Sequence, residues 1–498
     1  MEKIMKYLFS IFLFLNILVC QENKNKEKEK IPRIIEQMIE QRSNIELNLY
    51  SAFKSPTYPL NIKKIFTEWT KTKYLVICFL NEIAINEELQ KIYIKIIENT
   101  IRITNVLILV DKDDCTTINE LICLLKKNDL DIENQQYQIK IMSLGLDTKW
   151  VRDYAPVFAI NEDNNLCVID AIYRDIRIQD SSIVREKDDV SPVYLANYLF
   201  KDISIVKPPF QLWGGDFYSD GSGNIFTSIE TLIMNGGDRN KINTLFQYYY
   251  GAKKIIYLTP LPGNTIKHID MFFKIVNENT ILIGEYNENT ILIGGRKVNL
   301  QDNSYQYFKF IQKEAKKILE ANYTELQEKF PEKKIIKLPM PPIDFEIDKD
   351  AKLSYENLLK TIENKMLSLY DDGKFLEALA LEKILQEHKQ KIVYELYHTI
   401  YKTYLNSIFI EGKGGKLLLI PSYEGLSKIE NEVKKKYEEA YPGARIVFIN
   451  CDGIIKQFGA IHCITLLIPD IEDIKTKIDS HPNRNYPSPP PLPTRKGS

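Results

Sequence analysis

The sequence predicts an α/β protein, and two observations support this assignment. Apolar runs of strand length alternate with segments whose apolar residues recur at helical spacing, as in 73–80 followed by 86–101. Hydrophobic residues make up 44% of the 498 positions and charged residues 27%, which is enough to build a buried core. Alternating strands and helices favour sheets covered by helices, with functional residues in the loops at the strand ends.

The alternation continues along most of the chain. Further strands are predicted at 105–111, 137–144, 253–258, 416–421 and 444–450. Further helices are predicted at 117–129 and 427–441. Residues 277–284 and 287–294 both read NENTILIG, and we expect these two runs to form a β-hairpin around the polar pair between them.

Residues 351–397 differ from the alternating pattern. Two long helical patterns flank a DDGK turn there, which predicts a helical hairpin inserted into the α/β fold. The segment before it, KLPMPPIDF, is Pro-rich and is expected to be extended. We expect the hairpin to be a packing element or an insertion, and an arm that binds a partner is the alternative.

The two ends of the chain are expected to lie outside the folded domain, which spans 46–470. Residues 1–20 combine two lysines with an apolar run that ends at Cys20, a pattern typical of a secretory signal peptide. Cleavage, retention as an anchor and lipid attachment at Cys20 all fit this leader. Residues 21–45 are predicted to be a charged, flexible spacer and 471–498 a Pro-rich disordered tail. A secreted or cell-envelope protein is therefore expected.

Composition and cysteine usage exclude several function classes. The formal net charge of −1 leaves no global basic field to hold nucleic acid. The cysteines form no CxxC pair and no dense framework, so a disulfide scaffold is not expected, although a single bridge such as Cys115–Cys123 stays open. No metal-ligand spacing is apparent, and neither a metal nor another cofactor is expected.

Four polar clusters interrupt the apolar pattern. They are Trp150-Val-Arg-Asp153, Gly214-Gly215-Asp216, His268-Ile-Asp270 and His462-Cys463. Residues two apart on a strand project from one face, so His268 and Asp270 are predicted to project together from a strand. Cys463 is expected at a strand end, where either a buried structural thiol or a nucleophile would fit.

Together the clusters supply a thiol, an imidazole and several carboxylates. Carboxylates suit a cationic, planar substrate, and a guanidinium stays protonated because its pKa exceeds about 12. It presents N–H donors in a fork that two carboxylates can hold through charge-assisted hydrogen bonds. We therefore expect the partner of this site to be a guanidino compound, either peptide-borne or small.

These clusters, in this order, resemble the agmatine deiminase and bacterial-type peptidylarginine deiminase family of the guanidino-group-modifying superfamily. The family pattern reads W-x-R-D-x-x-P, G-G-N-x-x-x-D-G, H-x-D, Y-x-N and G-G-x-I-H-C-x-T. This chain matches it at 150–156, 214–221, 268–270, 404–406 and 459–465. The resemblance covers about residues 57–470 apart from the helical insertion. It implies a catalytic domain built as a five-bladed α/β propeller around a central site.

The resemblance also implies roles for the matching residues. Cys463 would attack the guanidinium carbon, and His268 would serve as acid and then as base. Asp153 and Asp270 would hold the guanidinium nitrogens, and Asn406 would orient the thiol. The reaction would yield a ureido group and ammonia through a covalent thiouronium intermediate.

Substrate binding is expected to involve residues beside these. They are Trp150, Arg152, Gly215, Asp216 and Arg177. In the peptidylarginine branch, a segment with two arginines binds the substrate's main-chain carboxylate, and here Asp175 and Arg177 fall at those two positions. Asp216 stands where the family has Asn, which adds a negative charge near the site.

The expected function is that of a secreted deiminase acting on arginine in peptides or proteins. The alternative within the family is the conversion of agmatine to N-carbamoylputrescine. A cysteine peptidase using Cys463, His268 and Asn406 leaves the paired carboxylates unexplained. A non-catalytic surface binding protein is the remaining alternative.

Overall fold

The computed structural model describes residues 56–130, 138–173, 185–200, 203–286, 303–347, 364–365, 368 and 397–471. Several sequence predictions concern segments outside this part of the chain. They are the signal peptide 1–20, the spacer 21–45, Asp175 and Arg177, the second NENTILIG copy at 287–294, nearly all of the helical insertion 351–397, and the tail beyond 471.

The described strands are numbered here in chain order. They are β1 (Ile62–Ile65), β2 (Thr72–Phe79), β3 (Asn105–Asp111), β4 (Ile139–Leu144), β5 (Val157–Asn161), β6 (Leu166–Ile169), β7 (Ser204–Val206), β8 (Tyr218–Ser219), β9 (Asn224–Ser228), β10 (Lys254–Leu258), β11 (Phe273–Asn277), β12 (Thr280–Glu285), β13 (Lys334–Pro339), β14 (Asp344–Ile347), β15 (Tyr397–Ile400), β16 (Ile408–Gly412), β17 (Gly415–Ser422), β18 (Arg445–Asn450) and β19 (Thr465–Pro469).

The described helices follow the same convention. They are α1 (Asn81–Ala84), α2 (Glu87–Thr100), α3 (Cys115–Lys127), α4 (Val151–Tyr154), α5 (Glu186–Leu199), α6 (Ile229–Met234), α7 (Arg239–Tyr250), α8 (Asn303–Lys329), α9 (Ser427–Ala440) and α10 (Asp452–Ile455). Single 3-10 turns are formed by Gly214–Asp216 and Ile269–Met271. No helix in the described ranges is long and apolar enough to cross a membrane.

The elements predicted from the alternating pattern are confirmed, with bounds that shift by a few residues. They are β2, β3, β4, β10, β17 and β18, and the helices α2, α3 and α9. Local chemistry sets some of these bounds. Helix α2 begins at Glu87 because the Asn86 side chain accepts hydrogen bonds from the backbone of Glu88 and Leu89 at 3.0 and 3.1 Å.

One arrangement recurs in the described sheets: an antiparallel strand pair, a helical crossover and a third strand parallel to the second. It is seen in β5-β6-β7, β8-β9-β10, β11-β12-β13, β16-β17-β18 and β19-β2-β3. Strand β1 extends the first of these sheets and β4 the last, while β14 and β15 form a separate antiparallel pair. Strands and helices therefore alternate as the fold class predicts.

Strands from opposite ends of the described domain share one sheet. Strand β19 pairs antiparallel with β2, with Leu466 opposite Val76, and β2 is buried along both faces. Continuous burial explains why β2 reads as an unbroken apolar run. This pairing brings the turn before β19 next to the loop between β1 and β2, which places Cys463 near residues some four hundred positions earlier.

One local prediction was wrong. His268-Ile-Asp270 does not lie on a strand: Ile269–Met271 form a 3-10 turn, and the following strand begins only at Phe273. Residues 452–455 form the short helix α10, and Cys463 lies in the turn just before β19, which is a strand end. Because a turn also brings residues two apart close together, the imidazole and carboxylate still meet.

The predicted NENTILIG hairpin and the suggested cysteine bridge are not supported. The first copy contributes β12, and both edges of this strand are already paired, with β11 and β13. Cys115 and Cys123 are both free and both lie on α3. Eight residues of helix separate them by about 12 Å, which is too far for a disulfide.

Candidate active site

Cys463 lies in the turn that precedes β19, where the described fold almost completely buries its side chain. The residue four positions earlier is Gly459, and a Cβ there would lie 2.5 Å from the Trp150 ring and 3.1 Å from the Cys463 sulfur. Only a glycine lets these two groups approach so closely. Trp150 therefore lies beside the thiol, in the position expected of a residue that lines the site.

The Asn406 side chain holds the turn that carries Cys463. Its Oδ1 accepts hydrogen bonds from the backbone N–H groups of Ala460, His462 and Cys463 at 3.1, 3.0 and 3.3 Å. Three N–H donors identify this atom as the oxygen, so the amide nitrogen faces the sulfur. The Nδ2 group donates to Cys463 Sγ at 3.1 Å. This geometry suits a residue that orients the thiol.

Three of the predicted catalytic side chains converge on Gly215. A Cβ at this position would lie 2.5 Å from His268 Nδ1, 3.0 Å from Asp153 Oδ1 and 3.2 Å from Asp270 Oδ2. His268 Nδ1 lies 3.5 Å from Asp153 Oδ1. The glycine thus leaves the space in which an imidazole and two carboxylates come together.

Asp270 joins this cluster to the thiol. Its carboxyl group is fully buried, and Oδ2 accepts hydrogen bonds from His462 Nδ1 at 2.8 Å and from Cys463 Sγ at 3.5 Å. No donor within the described part of the chain reaches Oδ1. A buried acceptor without a donor costs about 1–3 kcal/mol, and more when it is charged. This oxygen is therefore suited to receive an N–H group of a ligand.

Glu68 lies at the centre of a buried charge cluster that the sequence did not predict. Its carboxylate lies 3.1 Å from Arg152 Nη1, 3.1 Å from Lys274 Nζ and 2.6 Å from His462 Nε2. Lys274 also donates to the backbone oxygen of Ser407 at 2.9 Å. Since His462 bonds Asp270 with its other nitrogen, the charge cluster and the thiol site are directly connected.

The electrostatic environment acts in opposite directions on the thiol and on Glu68. Burial, followed by the negative charges of Asp270 and Asp153, raises the pKa of the Cys463 thiol well above its usual value. Burial also tends to raise the pKa of Glu68, but the imidazole and the two cations around it hold this pKa well below its usual value. Without a ligand, a neutral thiol therefore lies near an ionised Glu68.

Arg152, which the sequence predicted to bind substrate, is part of the ion cluster. Its Nε donates to the backbone oxygen of Thr465 at 3.1 Å, and its Nη1 pairs with Glu68. These contacts connect the Trp150–Asp153 segment to β19. Arg152 therefore braces the wall of the site, and its contact with substrate stays a prediction.

Asp216 was also predicted to bind substrate, which stays a prediction, and its contacts in the described fold are with neighbouring residues of the protein. Its buried carboxylate accepts hydrogen bonds from Ser228 N and Oγ at 3.1 and 2.7 Å, and from Thr231 Oγ1 at 2.8 Å. It also accepts from the backbone of Ile269, the middle residue of the His-Ile-Asp turn. Burial raises the pKa of Asp216 to about 7 despite these donors. Asp216 therefore supports the turn from behind.

Two members of the site were missed by sequence reasoning. His462 attracts attention because it precedes Cys463, but its position alone gives it no role. Glu68 offers a weaker signal, a single acid between Phe66 and Trp69 in the loop before β2. Across the ranges described, no group of His, Cys, Asp and Glu side chains is arranged to hold a metal ion. Arg177 lies outside these ranges.

Comparison with known proteins identifies the family. The sequence model of the Porphyromonas-type peptidyl-arginine deiminase family matches residues 64–469, from the end of β1 to the end of β19. The chain belongs to this family. The predicted family resemblance is thereby confirmed, and the protein is a deiminase that modifies guanidino groups, a hydrolase of the C–N bonds of amidines.

Individual relatives agree with this assignment. A protein of Marinomonas sp. (strain MWYL1), provisionally named an agmatine deiminase, is 22% identical over 356 residues, which cover 68% of this deiminase and 78% of the relative. The agmatine deiminase of C. jejuni superposes with a TM-score of 0.55 at 17% identity, covering 81% of this chain and 95% of its own. The agmatine deiminase of Enterococcus faecalis superposes with a TM-score of 0.54 at 14% identity, covering 83% of this chain and 96% of its own. The predicted α/β fold is confirmed by this likeness.

Proposed function

We propose that this deiminase converts the guanidinium group of arginine in peptides or proteins to the ureido group of citrulline, with release of ammonia. The reaction would proceed through a thiouronium intermediate on Cys463. His268 is the proposed acid and base, and Asp153 and Asp270 are the proposed ligands of the guanidinium nitrogens. Trp150 and the backbone of Gly215 would line the bound group.

One observation carries this proposal. The buried Asp270 carboxylate has one oxygen 3.5 Å from the Cys463 thiol and one oxygen that no donor reaches among the residues described. A cationic N–H donor bound to that carboxylate would be held against the sulfur. The Asp153 carboxylate lies beside the same glycine, with Oδ1 3.0 Å and Asp270 Oδ2 3.2 Å from a Cβ placed on Gly215, so a planar group with several N–H donors could contact both acids. A guanidinium has this shape and charge.

Substrate binding would also activate the nucleophile. The pKa of the Cys463 thiol is raised by burial and by the two aspartates, so the ligand-free thiol holds its proton. A guanidinium between Asp153 and Asp270 offsets their negative charge and brings a positive charge close to the sulfur. Both effects lower the thiol pKa, and the proton can pass to His268. The nucleophile would therefore be formed mainly when a cationic substrate is present.

The first half of the reaction forms the covalent intermediate. The Cys463 thiolate attacks the guanidinium carbon, and a carbon–sulfur bond forms to give a neutral tetrahedral adduct. His268 donates its proton to one terminal amino group, and the carbon–nitrogen bond to that group breaks. Ammonia leaves, and the remaining carbon is a cationic thiouronium that Asp153 and Asp270 continue to hold.

The second half consumes one water molecule. Neutral His268 accepts a proton from water as its oxygen bonds to the thiouronium carbon. Collapse of this second adduct breaks the carbon–sulfur bond to give the thiolate and an O-protonated urea, which loses its hydroxyl proton to solvent and leaves as the ureido product. Once the product has left, protonated His268 returns its proton to the thiolate, and the neutral thiol is restored for another guanidinium.

Agmatine is the second candidate substrate. Peptide-bound arginine is placed first because the family that the chain belongs to carries the peptidyl-arginine description and the leader sequence indicates export. Agmatine is retained because solved relatives such as the C. jejuni protein bear the name agmatine deiminase. The pair Asp175 and Arg177, which would meet a substrate carboxylate, lies outside the described residues.

Two further expectations accompany this function. We propose that the five recurring sheets surround the site as the blades of an α/β propeller, with 351–397 as an insertion. We also propose that residues 1–20 direct the protein to the cell envelope or the exterior, by cleavage or by lipid attachment at Cys20. Mass spectrometry of the protein from its native host would reveal a cleaved or acylated N-terminus, and an intact Met1 would contradict both routes.

Ammonia release by residues 21–498 tests the proposed reaction. Agmatine, free arginine, and peptides with internal or C-terminal arginine are offered in parallel, with Cys463→Ala as the matched control. Turnover of a peptide but not of agmatine supports the first candidate, and turnover of agmatine alone supports the second. A folded protein that releases ammonia from none of these compounds would overturn both and favour a binding role.

A further inference from the structure

We propose that Glu68 and His462 are positioning residues of this deiminase. Glu68 holds His462 as an imidazolium, and His462 in turn fixes the Asp270 carboxylate so that its second oxygen faces the substrate. The inference rests on the proposed function, because Asp270 matters in this way only if it binds a guanidinium. It assigns a role to the histidine beside the nucleophile, which takes no step in the reaction described above.

The proposal begins with the two ring nitrogens of His462, each of which faces a carboxylate. Nε2 lies 2.6 Å from Glu68 Oε1 and Nδ1 lies 2.8 Å from Asp270 Oδ2. Ionised carboxylates accept hydrogen bonds and donate none, while a neutral imidazole has only one N–H. Both short contacts can therefore be hydrogen bonds only when Glu68, His462 and Asp270 together hold one proton more than two carboxylates and a neutral imidazole would.

The surrounding charges place this proton on the ring. Glu68 contacts two cations besides His462, Arg152 at 3.1 Å and Lys274 at 3.1 Å, which keep its carboxyl ionised. Because the Glu68 carboxylate stays ionised and touches the ring, the additional proton is favoured on the imidazole, where it completes a charge-assisted hydrogen bond to each carboxylate.

The other groups packed against the ring are compatible with a positive charge. The Tyr218 ring stacks on the imidazole at 5.7 Å between centroids, with its hydroxyl 3.5 Å from Nε2. Burial raises the pKa of this phenol, so it stays neutral, and its π face can stabilise a cation. Cys463 follows in sequence, and Arg152 and Lys274 lie beyond Glu68.

The backbone of His462 is fixed as firmly as its ring. Its N–H lies 3.0 Å from Asn406 Oδ1 and 3.1 Å from the Asn406 backbone oxygen. The same Asn406 side chain orients the Cys463 sulfur. His462 therefore links the turn that carries Cys463 to the Asp270 carboxylate that would hold the substrate, and it sets the relative position of the two.

The protonation state of His462 can be measured without any substrate. The full-length chain is labelled with ¹⁵N-histidine, and the five histidines are compared between pH 6 and pH 9, with His462→Gln used to assign the signal. We expect both His462 ring nitrogens to carry protons throughout this range. A neutral ring with one protonated nitrogen at pH 7.5 would overturn the proposal.

The variant Glu68→Gln removes the counter-ion and keeps the shape of the side chain. We expect the imidazolium signal to be lost near neutral pH and kcat/KM to fall by about 100-fold, because Asp270 is no longer held in place. The kcat/KM profile should also gain an ionisation that the wild-type profile lacks, because the ring is no longer held between two carboxylates. Unchanged ring protonation in this variant would contradict the proposed role of Glu68.

Asp220→Asn is the matched control. Asp220 is a buried carboxylate 3.3 Å from Lys333, so this change also replaces an acid by its amide within a buried ion pair. We expect it to lower stability without adding an ionisation to the kcat/KM profile. The same new ionisation in the control would mean that the effect of Glu68→Gln is general, which would count against the proposal. Failure of the wild type to act on any guanidino compound would instead refute the proposed function and leave the ¹⁵N result as it stands.

Discussion

Replacement of Asp216 by Asn is expected to stabilise the protein above neutral pH and to flatten the pH dependence of its stability. Burial raises the pKa of Asp216 to about 7 in the folded protein, compared with an ordinary value of 3.8. The unfolded chain therefore releases this proton at a lower pH than the folded chain does. Below about pH 4 Asp216 is protonated in both the folded and the unfolded chain, so it has no effect on the pH dependence of stability there. As pH rises from about 4 to about 7, the unfolded chain releases the proton first, and the free energy of unfolding falls.

The size of the effect follows from the difference in pKa. A difference of about three units at about 1.36 kcal/mol each corresponds to a loss of about 4 kcal/mol by pH 8, of which about 2–3 kcal/mol falls between pH 5 and pH 8. Asn carries no charge to desolvate and can keep the contacts. Its oxygen can accept from Ser228 N–H, and its amino group can donate to the hydroxyls of Ser228 and Thr231, which accept as well as donate.

Urea denaturation of both proteins at pH 5, 6, 7 and 8 measures this difference. The variant should be more stable than the wild type at pH 8, and the gap should narrow at pH 5. Asp220→Asn is the control with the opposite sign, since hydrogen bonds from Asn224 and Ser222 outweigh burial and keep the pKa of Asp220 below its ordinary value. An equal pH dependence in Asp216→Asn and wild type would show that Asp216 does not titrate in this range and would refute the reasoning.

Three further outcomes are expected. Gly215→Ala should lower kcat/KM for ammonia release at least about 100-fold, because its methyl group would lie 2.5 Å from His268 Nδ1; wild-type kinetics would contradict this packing. Asn406→Ala should lower kcat about 100-fold, more than it raises KM, since the thiol loses its donor. At pH 7, a haloacetamidine, which is cationic, should alkylate Cys463 faster than the matching neutral haloacetamide, as followed by mass spectrometry; equal rates would argue against activation by a bound cation.

Features that depend on local pattern could be predicted from the sequence. Strand β2 is an apolar run because both of its faces are buried, and helix α2 follows an Asn that caps it. The His268–Asp270 spacing correctly brings an imidazole and a carboxylate together, although the segment forms a 3-10 turn and not a strand. Three residues are too few for periodicity to distinguish these two conformations.

Features that depend on distant packing could not be predicted in this way. Glu68 and His462 are 394 positions apart, and they meet because β19 pairs with β2. No local pattern encodes this pairing, so the charge cluster was missed. The contacts of Asp216 have a related origin, because the residues that hold its carboxylate, Ser228 and Thr231, come from β9 and α6, which no local pattern places beside the glycine turn.

The buried charges also determine when the thiol can lose its proton. Before a ligand binds, burial and the negative charges of Asp270 and Asp153 hold the pKa of the Cys463 thiol well above its usual value, so the thiol keeps its proton. A guanidinium then adds one positive charge to a buried site, and an uncompensated charge there costs several kcal/mol. A thiolate beside the guanidinium compensates this charge while the proton moves to His268 next to Asp153, so substrate binding and thiolate formation favour each other. The same balance keeps the thiol protonated, and therefore weakly reactive, toward neutral electrophiles that bring no charge of their own.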